Sequence, residues 1–88
     1  MIRRRLLVSG IVQDVFFRDT CQREARAANV TGWAKNLDDG RVEVMLEGEP
    51  EAVAAVEAWC HEGPPAGRVD AVAGFDEPVT GLTGFDVR

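Results

Sequence analysis

Residues 11–18, IVQDVFFR, lie between an apolar run and a polar, helix-like one, and their reading decides the fold. Upstream, Arg5 to Val12 places Leu6, Leu7, Val8, Ile11 and Val12 around Gly10, which suits a strand with a close backbone approach at the glycine. Downstream, residues 18–29, RDTCQREARAAN, are good helix formers. Phe17, Cys21, Ala25 and Ala28 recur there at helical spacing, so they share one face. Asp19 in the opening turn complements the helix dipole, so a helix starting near Phe17 or Arg18 is expected. The quoted stretch is therefore a strand-to-helix turn.

The remaining elements follow from similar signals. Residues 31–48, TGWAKNLDDGRVEVMLEG, read as two strands joined at Asp39-Gly40, a dipeptide that supplies the positive φ values of a tight hairpin. Val42, Val44 and Leu46 alternate with Glu43, Met45 and Glu47, which predicts one wet or half-wet sheet face. In residues 49–63, EPEAVAAVEAWCHEG, Pro50 fits a first helical turn and Val53, Val56, Trp59 and Cys60 form a stripe. Gly63 is placed to end that helix. After the stiff connector PPAGR, VDAVAGF is a fourth strand and GFDVR a short C-terminal one. The order β-α-β-β-α-β is the split βαβ arrangement of an α+β, ferredoxin-like sandwich: an antiparallel sheet with two helices on one face. Its usual strand order, 4-1-3-2, makes the first and second strands parallel with the third between them. Their C-terminal ends then share one sheet edge, roughly 9–10 Å apart, leaving a gap that side chains can reach from both sides.

At 88 residues the chain forms one domain, 1–88, with a single core. A formal charge of −5 opposes a broad phosphate-tracking surface. An RNA-recognition domain shares this element order but needs aromatic platforms on its first and third strands, and neither strand carries one here, so no nucleic-acid partner is expected. Cys21 and Cys60 lack metal-ligand spacing and fall on apolar helix faces, which reads as two buried thiols in a reducing cytosol. Polar residues interrupt the N-terminal apolar stretch, so no secretory signal is read, and no segment is long enough to span a bilayer. The protein is thus expected to be cytoplasmic, with Arg3, Arg4 and Arg5 as a solvated start to the first strand. With 88 residues and no zinc-finger cysteines, a free-standing protein is expected rather than a piece of a larger enzyme, and a monomer is the expected form.

Chemistry concentrates at the shared edge. In a strand-to-helix turn, successive N–H groups have no ladder partner and the helix N-terminus adds partial positive charge, a ready nest for an anion. Arg18 adds a permanently charged fork matched to two phosphate or carboxylate oxygens. The plain reading of Arg18 is an exposed helix-start arginine, yet a cation there opposes the dipole, which points towards function. Asn36 closes the second strand. Near a turn an asparagine often bonds its own backbone, but from this edge its amide could instead hold water beside the group that Arg18 grips. The only histidine, His61, reads as a surface residue at a helix end.

The segment VSGIVQDVFFR (8–18) resembles the acylphosphatase signature V-x-G-x-V-Q-G-V-x-F-R, and GWAKNLDDG (32–40) resembles the second signature, G-W-x-x-N-x-x-D-G. GPPAGRVD and GFDVR are similar to later landmarks of that family, so the resemblance spans essentially the whole chain. It implies hydrolysis of the carboxyl-phosphate bond of small acyl phosphates. Arg18 and the loop Gln13, Asp14, Val15, Phe16, Phe17 and Arg18 would bind the phosphoryl group, and Asn36 would orient the attacking water. A substrate phosphate oxygen can take the water's proton and the leaving carboxylate needs no strong acid, so neither protein base, metal nor cofactor is required. Inorganic phosphate is the implied product or inhibitor.

One position departs from the pattern. Asp14 stands where the family has glycine. If φ is positive there, aspartate costs about 1 kcal/mol, and its charge repels an incoming dianion. Reduced activity, or an anion-binding module of the same fold with weak or no turnover, is the alternative this raises. Trp33, Trp59, Phe16 and Phe17 read as core or rim residues rather than substrate contacts.

Overall fold

In a computed structural model describing residues 1–88, β1 (Ile2–Ile11), α1 (Phe17–Ala27), β2 (Thr31–Asn36), β3 (Val42–Gly48), α2 (Pro50–Glu62), β4 (Arg68–Glu77) and β5 (Phe85–Val87) follow in order. The sheet order is β4-β1-β3-β2-β5. β1 pairs antiparallel with β3 and β4, and β2 pairs antiparallel with β3, so β1 and β2 run parallel as expected. The expectation of an antiparallel sheet needs one amendment: β5 joins β2 in parallel, and the five-stranded sheet is mixed.

Both helices cover one face, α1 over β2 and β5, α2 over β1 and β4. Their buried stripes, Phe17, Cys21 and Ala25 on α1 and Val53, Val56 and Cys60 on α2, meet Leu6, Val8, Ala34, Val42, Val44, Leu46 and Phe85 from the sheet. This is the single core that the two helical periodicities imply. Trp59 packs on the Phe17 ring with centroids 5.1 Å apart. Cys21 and Cys60 are free, buried neighbours, and the Cys21 contact followed by burial pushes the Cys60 thiol well above its ordinary value.

Two expectations from the sequence require correction, for the hairpin and the arginines, and a third, the half-wet sheet face, becomes more definite. The β2–β3 connection is a longer loop than a tight two-residue hairpin: Leu37 N–H donates to the Arg41 carbonyl at 2.8 Å, and of Asp39 and Gly40 only Gly40 has positive φ, at 93°. The open sheet face is not wet throughout. Residues 78–84 cross it between β4 and β5, leaving Glu47 only 1% exposed and Met45 buried. The N-terminal arginines are not simply solvated. Arg4 holds Glu57 through two bonds of 3.0 and 3.1 Å and Asp76 at 2.9 Å. Arg5 holds Glu43 at 2.9 Å and stacks on Phe75, while Arg3 donates to the Thr80 hydroxyl and lies 3.9 Å from Glu47. Alternation along β1 sends Arg4 to the helix side and Arg3 and Arg5 to the open side, so each meets carboxylates from its own neighbours.

Candidate active site

β1 ends in a bulge between Ser9 and Gly10, where the chain passes so close to the Arg68 carbonyl that a Cβ at Gly10 would collide with it. Val12 is buried at the base of the turn that follows. Asp14 and Phe16 take left-handed backbone, with φ of 62° and 63°, and Phe16 caps α1 without a side-chain cap bond. Alternating handedness curls successive peptide units towards one side, as in anion nests. The N–H groups from Gln13 to Arg18 donate to no protein acceptor. Gly67 backs this turn: a Cβ there would lie 2.7 Å from the Ile11 oxygen and 2.9 Å from Val15 Cγ2.

Val12, Asp14, Phe16, Arg18, Asp19 and Asn36 line one cavity of ≈ 300 Å³ at this edge. The two residues singled out from opposite sides of the predicted gap therefore share a space. Arg18 is half-buried and donates through Nη1 to the Arg88 main-chain oxygen at 2.6 Å. The same oxygen accepts the Asn36 N–H at 3.3 Å. Arg88, the residue after β5, thus ties both residues to one point while leaving the rest of the guanidinium fork available. The Asn36 side-chain oxygen is buried without a protein partner, so it is not consumed by its own turn.

Sequence reasoning assigned Gln13 only an amide. Its side chain does more, donating from Nε2 to the carbonyls of Leu37 at 2.7 Å and Arg41 at 3.0 Å, which clamps the turn after β1 to the loop that follows Asn36. The contribution of Arg88 was missed as well, because nothing in GFDVR signals which oxygen would face α1. His61 is exposed at the end of α2 and belongs to a separate groove lined by Ile2, Arg4, Pro50, Val53, Ala54, Glu57 and Ala58. No cluster of three or more His, Cys, Asp or Glu side chains is arranged to hold a metal ion, and no helix is long and apolar enough to cross a membrane. Trp33 lies under the Arg88 guanidinium, Phe17 is core, and Phe16 stands at the rim, 73% exposed.

A split βαβ sheet whose edge presents an uncapped helix start, an arginine and an asparagine around one cavity defines a small anion-binding α+β domain. The acylphosphatase family profile matches residues 4–87, and the chain belongs to that family. It is 52% identical over 87 residues to an acylphosphatase of Rubrobacter xylanophilus, an alignment covering 98% of this chain and 79% of that one. The crystal structure of acylphosphatase from Bacillus subtilis superposes with a TM-score of 0.96 at 34% identity, covering 100% of this chain and 99% of that one. A full-length HypF structure in the phosphate- and nucleotide-bound form matches with a TM-score of 0.90 at 26% identity, but the matched part is 12% of that chain.

Proposed function

We propose that this acylphosphatase hydrolyses small acyl phosphates with Arg18 and the N–H groups of Gln13 to Arg18 holding the phosphoryl oxygens, and Asn36 placing the water. Water attacks phosphorus in line with the departing oxygen. The bond from phosphorus to the bridging oxygen breaks, the electron pair leaves with the carboxylate, and the water's proton passes to a phosphoryl oxygen. The products are a carboxylate and inorganic phosphate. Charge moves from the phosphoryl group onto the leaving oxygen, so fixed donors around the phosphoryl oxygens, rather than a titrating side chain, carry the catalysis. The observation that supports this most is that Arg18 and Asn36 line one cavity together with Asp14 and Phe16 of a turn whose N–H groups have no protein acceptor.

Every group in this reading comes from one chain, so the site is complete in a monomer, the form we propose for the protein. Two free thiols fit a reducing cytoplasm, and inorganic phosphate acts as a competitive product inhibitor. Phosphate release from benzoyl phosphate, compared between the intact protein and Arg18→Ala, tests the assignment. Removal of one preorganised donor is expected to cost on the order of 100-fold or more in kcat with the thermal transition retained. Turnover surviving in a folded Arg18→Ala would remove the guanidinium from the mechanism.

A further inference from the structure

Phe16 and Phe17 are neighbours with opposite fates. Phe17 is 1% exposed and packs on Trp59, while Phe16 is 73% exposed at the mouth of the cavity. A bulky residue at φ 63° and ψ 27° is a backbone outlier, maintained only where its surroundings fix it. Here Thr20 fixes it, donating from its N–H at 3.1 Å and its hydroxyl at 2.8 Å to the Phe16 carbonyl. The chain thus holds a large aromatic residue in strained backbone and in water, at a position where its packing into the core contributes nothing.

The composition of the cavity wall gives that ring a use. Of the lining residues only Val12 and Phe16 are apolar, and Val12 is buried at 2% exposure, so Phe16 supplies the apolar surface at the rim. The other exposed lining residues, Asp14 and Asp19, are acidic. A substrate held by its phosphoryl end must project its acyl group outward past this rim. An uncharged aromatic acyl group gains contact there, and one bearing a second carboxylate is repelled by both aspartates.

We infer that Phe16 is a specificity-determining residue that selects uncharged, apolar acyl groups, aromatic ones above all. This rests on the phosphoryl group lying against Arg18 and the turn. Binding energy from a non-reacting acyl group enters kcat/KM, so the readout is a ratio of kcat/KM values between two substrates. The experiment measures kcat/KM for benzoyl phosphate and acetyl phosphate in the intact protein and in Phe16→Gly, Phe16→Asn and Phe16→Trp. Glycine and asparagine both tolerate left-handed backbone, so either reports on loss of the ring if the other folds poorly. The benzoyl-to-acetyl ratio is expected to fall roughly three- to tenfold in the glycine and asparagine variants and to persist in the tryptophan variant, in line with one aromatic contact. Equal changes for both substrates in a folded variant would overturn the inference. Arg18→Ala run beside them separates the two claims: turnover surviving there sinks the phosphoryl site, whereas an unmoved ratio with Arg18→Ala inactive sinks only the role of Phe16.

Discussion

The turn after β1 and the crossing at 78–84 are built from the same materials, and they differ in whether the protein itself supplies an anion. In the crossing, Thr80 and Leu82 donate their N–H groups to the Glu47 carboxylate at 2.9 and 2.7 Å, Gly81 has positive φ, and the Arg3 guanidinium stands 3.9 Å away. In the turn after β1, N–H groups without a protein acceptor and the Arg18 guanidinium lie beside one cavity, and no carboxylate of the protein accepts from those amides. The first arrangement is sealed, with its anion 1% exposed, and serves to hold a loop down. The second opens through a half-buried arginine and an exposed rim. Glycine occupies the positive-φ positions of the sealed loop, Gly81 and Gly84, whereas the open one places aspartate and phenylalanine in the same backbone region. Left-handed strain is thus carried where side chains stand at the mouth and is absent from the loop that offers only amides.

Substitutions on either side can break this parallel, and the largest effect belongs to the open loop. Asn36→Ala should reduce kcat on benzoyl phosphate by about two orders of magnitude while leaving the urea midpoint nearly unchanged, as expected for a preorganised polar group that acts on the water. Glu47→Gln should show the opposite pattern. It leaves one strap N–H facing an amide NH₂, at a cost of about 2 kcal/mol, or roughly 8–16 °C in Tm, with kcat little altered well below the transition.

Acid sharpens the same contrast. Burial pushes the Glu47 carboxyl up, but the N–H groups of Thr80, Leu82 and Gly81 and the charge of Arg3 outweigh it and hold the group below the ordinary glutamate value of 4.5. The folded state therefore binds this proton more weakly than the unfolded chain. The contribution is complete above 4.5 and is lost as pH falls through the lower folded value. Thermal melts from pH 7 to 3 should show a steeper acid loss in the parent protein than in Glu47→Gln.

Two smaller effects concern the open loop alone. Gln13→Ala removes both bonds that hold the β2–β3 loop and should lower kcat/KM by about tenfold, through misplacement of Asn36 rather than loss of a phosphate contact. Inhibition by inorganic phosphate should move less than turnover. Asp14→Gly should relieve left-handed strain and repulsion together, raising stability by about 1 kcal/mol and tightening phosphate inhibition by up to about tenfold. An unchanged kcat/KM would show that the carboxylate has no effect on the bound dianion.

The open loop was legible in the sequence because its signals are local. A strand signal, a helix signal and an arginine placed against the dipole meet within residues 11–18, and the strand order then places Asn36 nearby. Left-handed backbone at Asp14 was raised only as a condition, from the glycine usual at that position, and the structure shows that the condition is met. The sealed loop was not legible. Glu47 alternates like a solvent-facing strand residue, and its partners are main-chain N–H groups more than thirty positions away, with no periodicity to announce them. The ion pairs of Arg3, Arg4 and Arg5 were missed for the same reason: strand register chooses their partners, and a run of three arginines carries no record of register. Gln13 lies between these cases. Its place in the signature marked it, but only the fold shows that its side chain grips another loop.

The bond between Arg18 and Arg88 spans 70 positions of chain. The β1–β4 register, with Arg3 opposite Glu77, closes loops just as long, so the sheet and the site share one entropic cost of closure. Circular dichroism and phosphate release should therefore recover together during refolding, and a lag of release behind the sheet signal would show that the last strand docks separately.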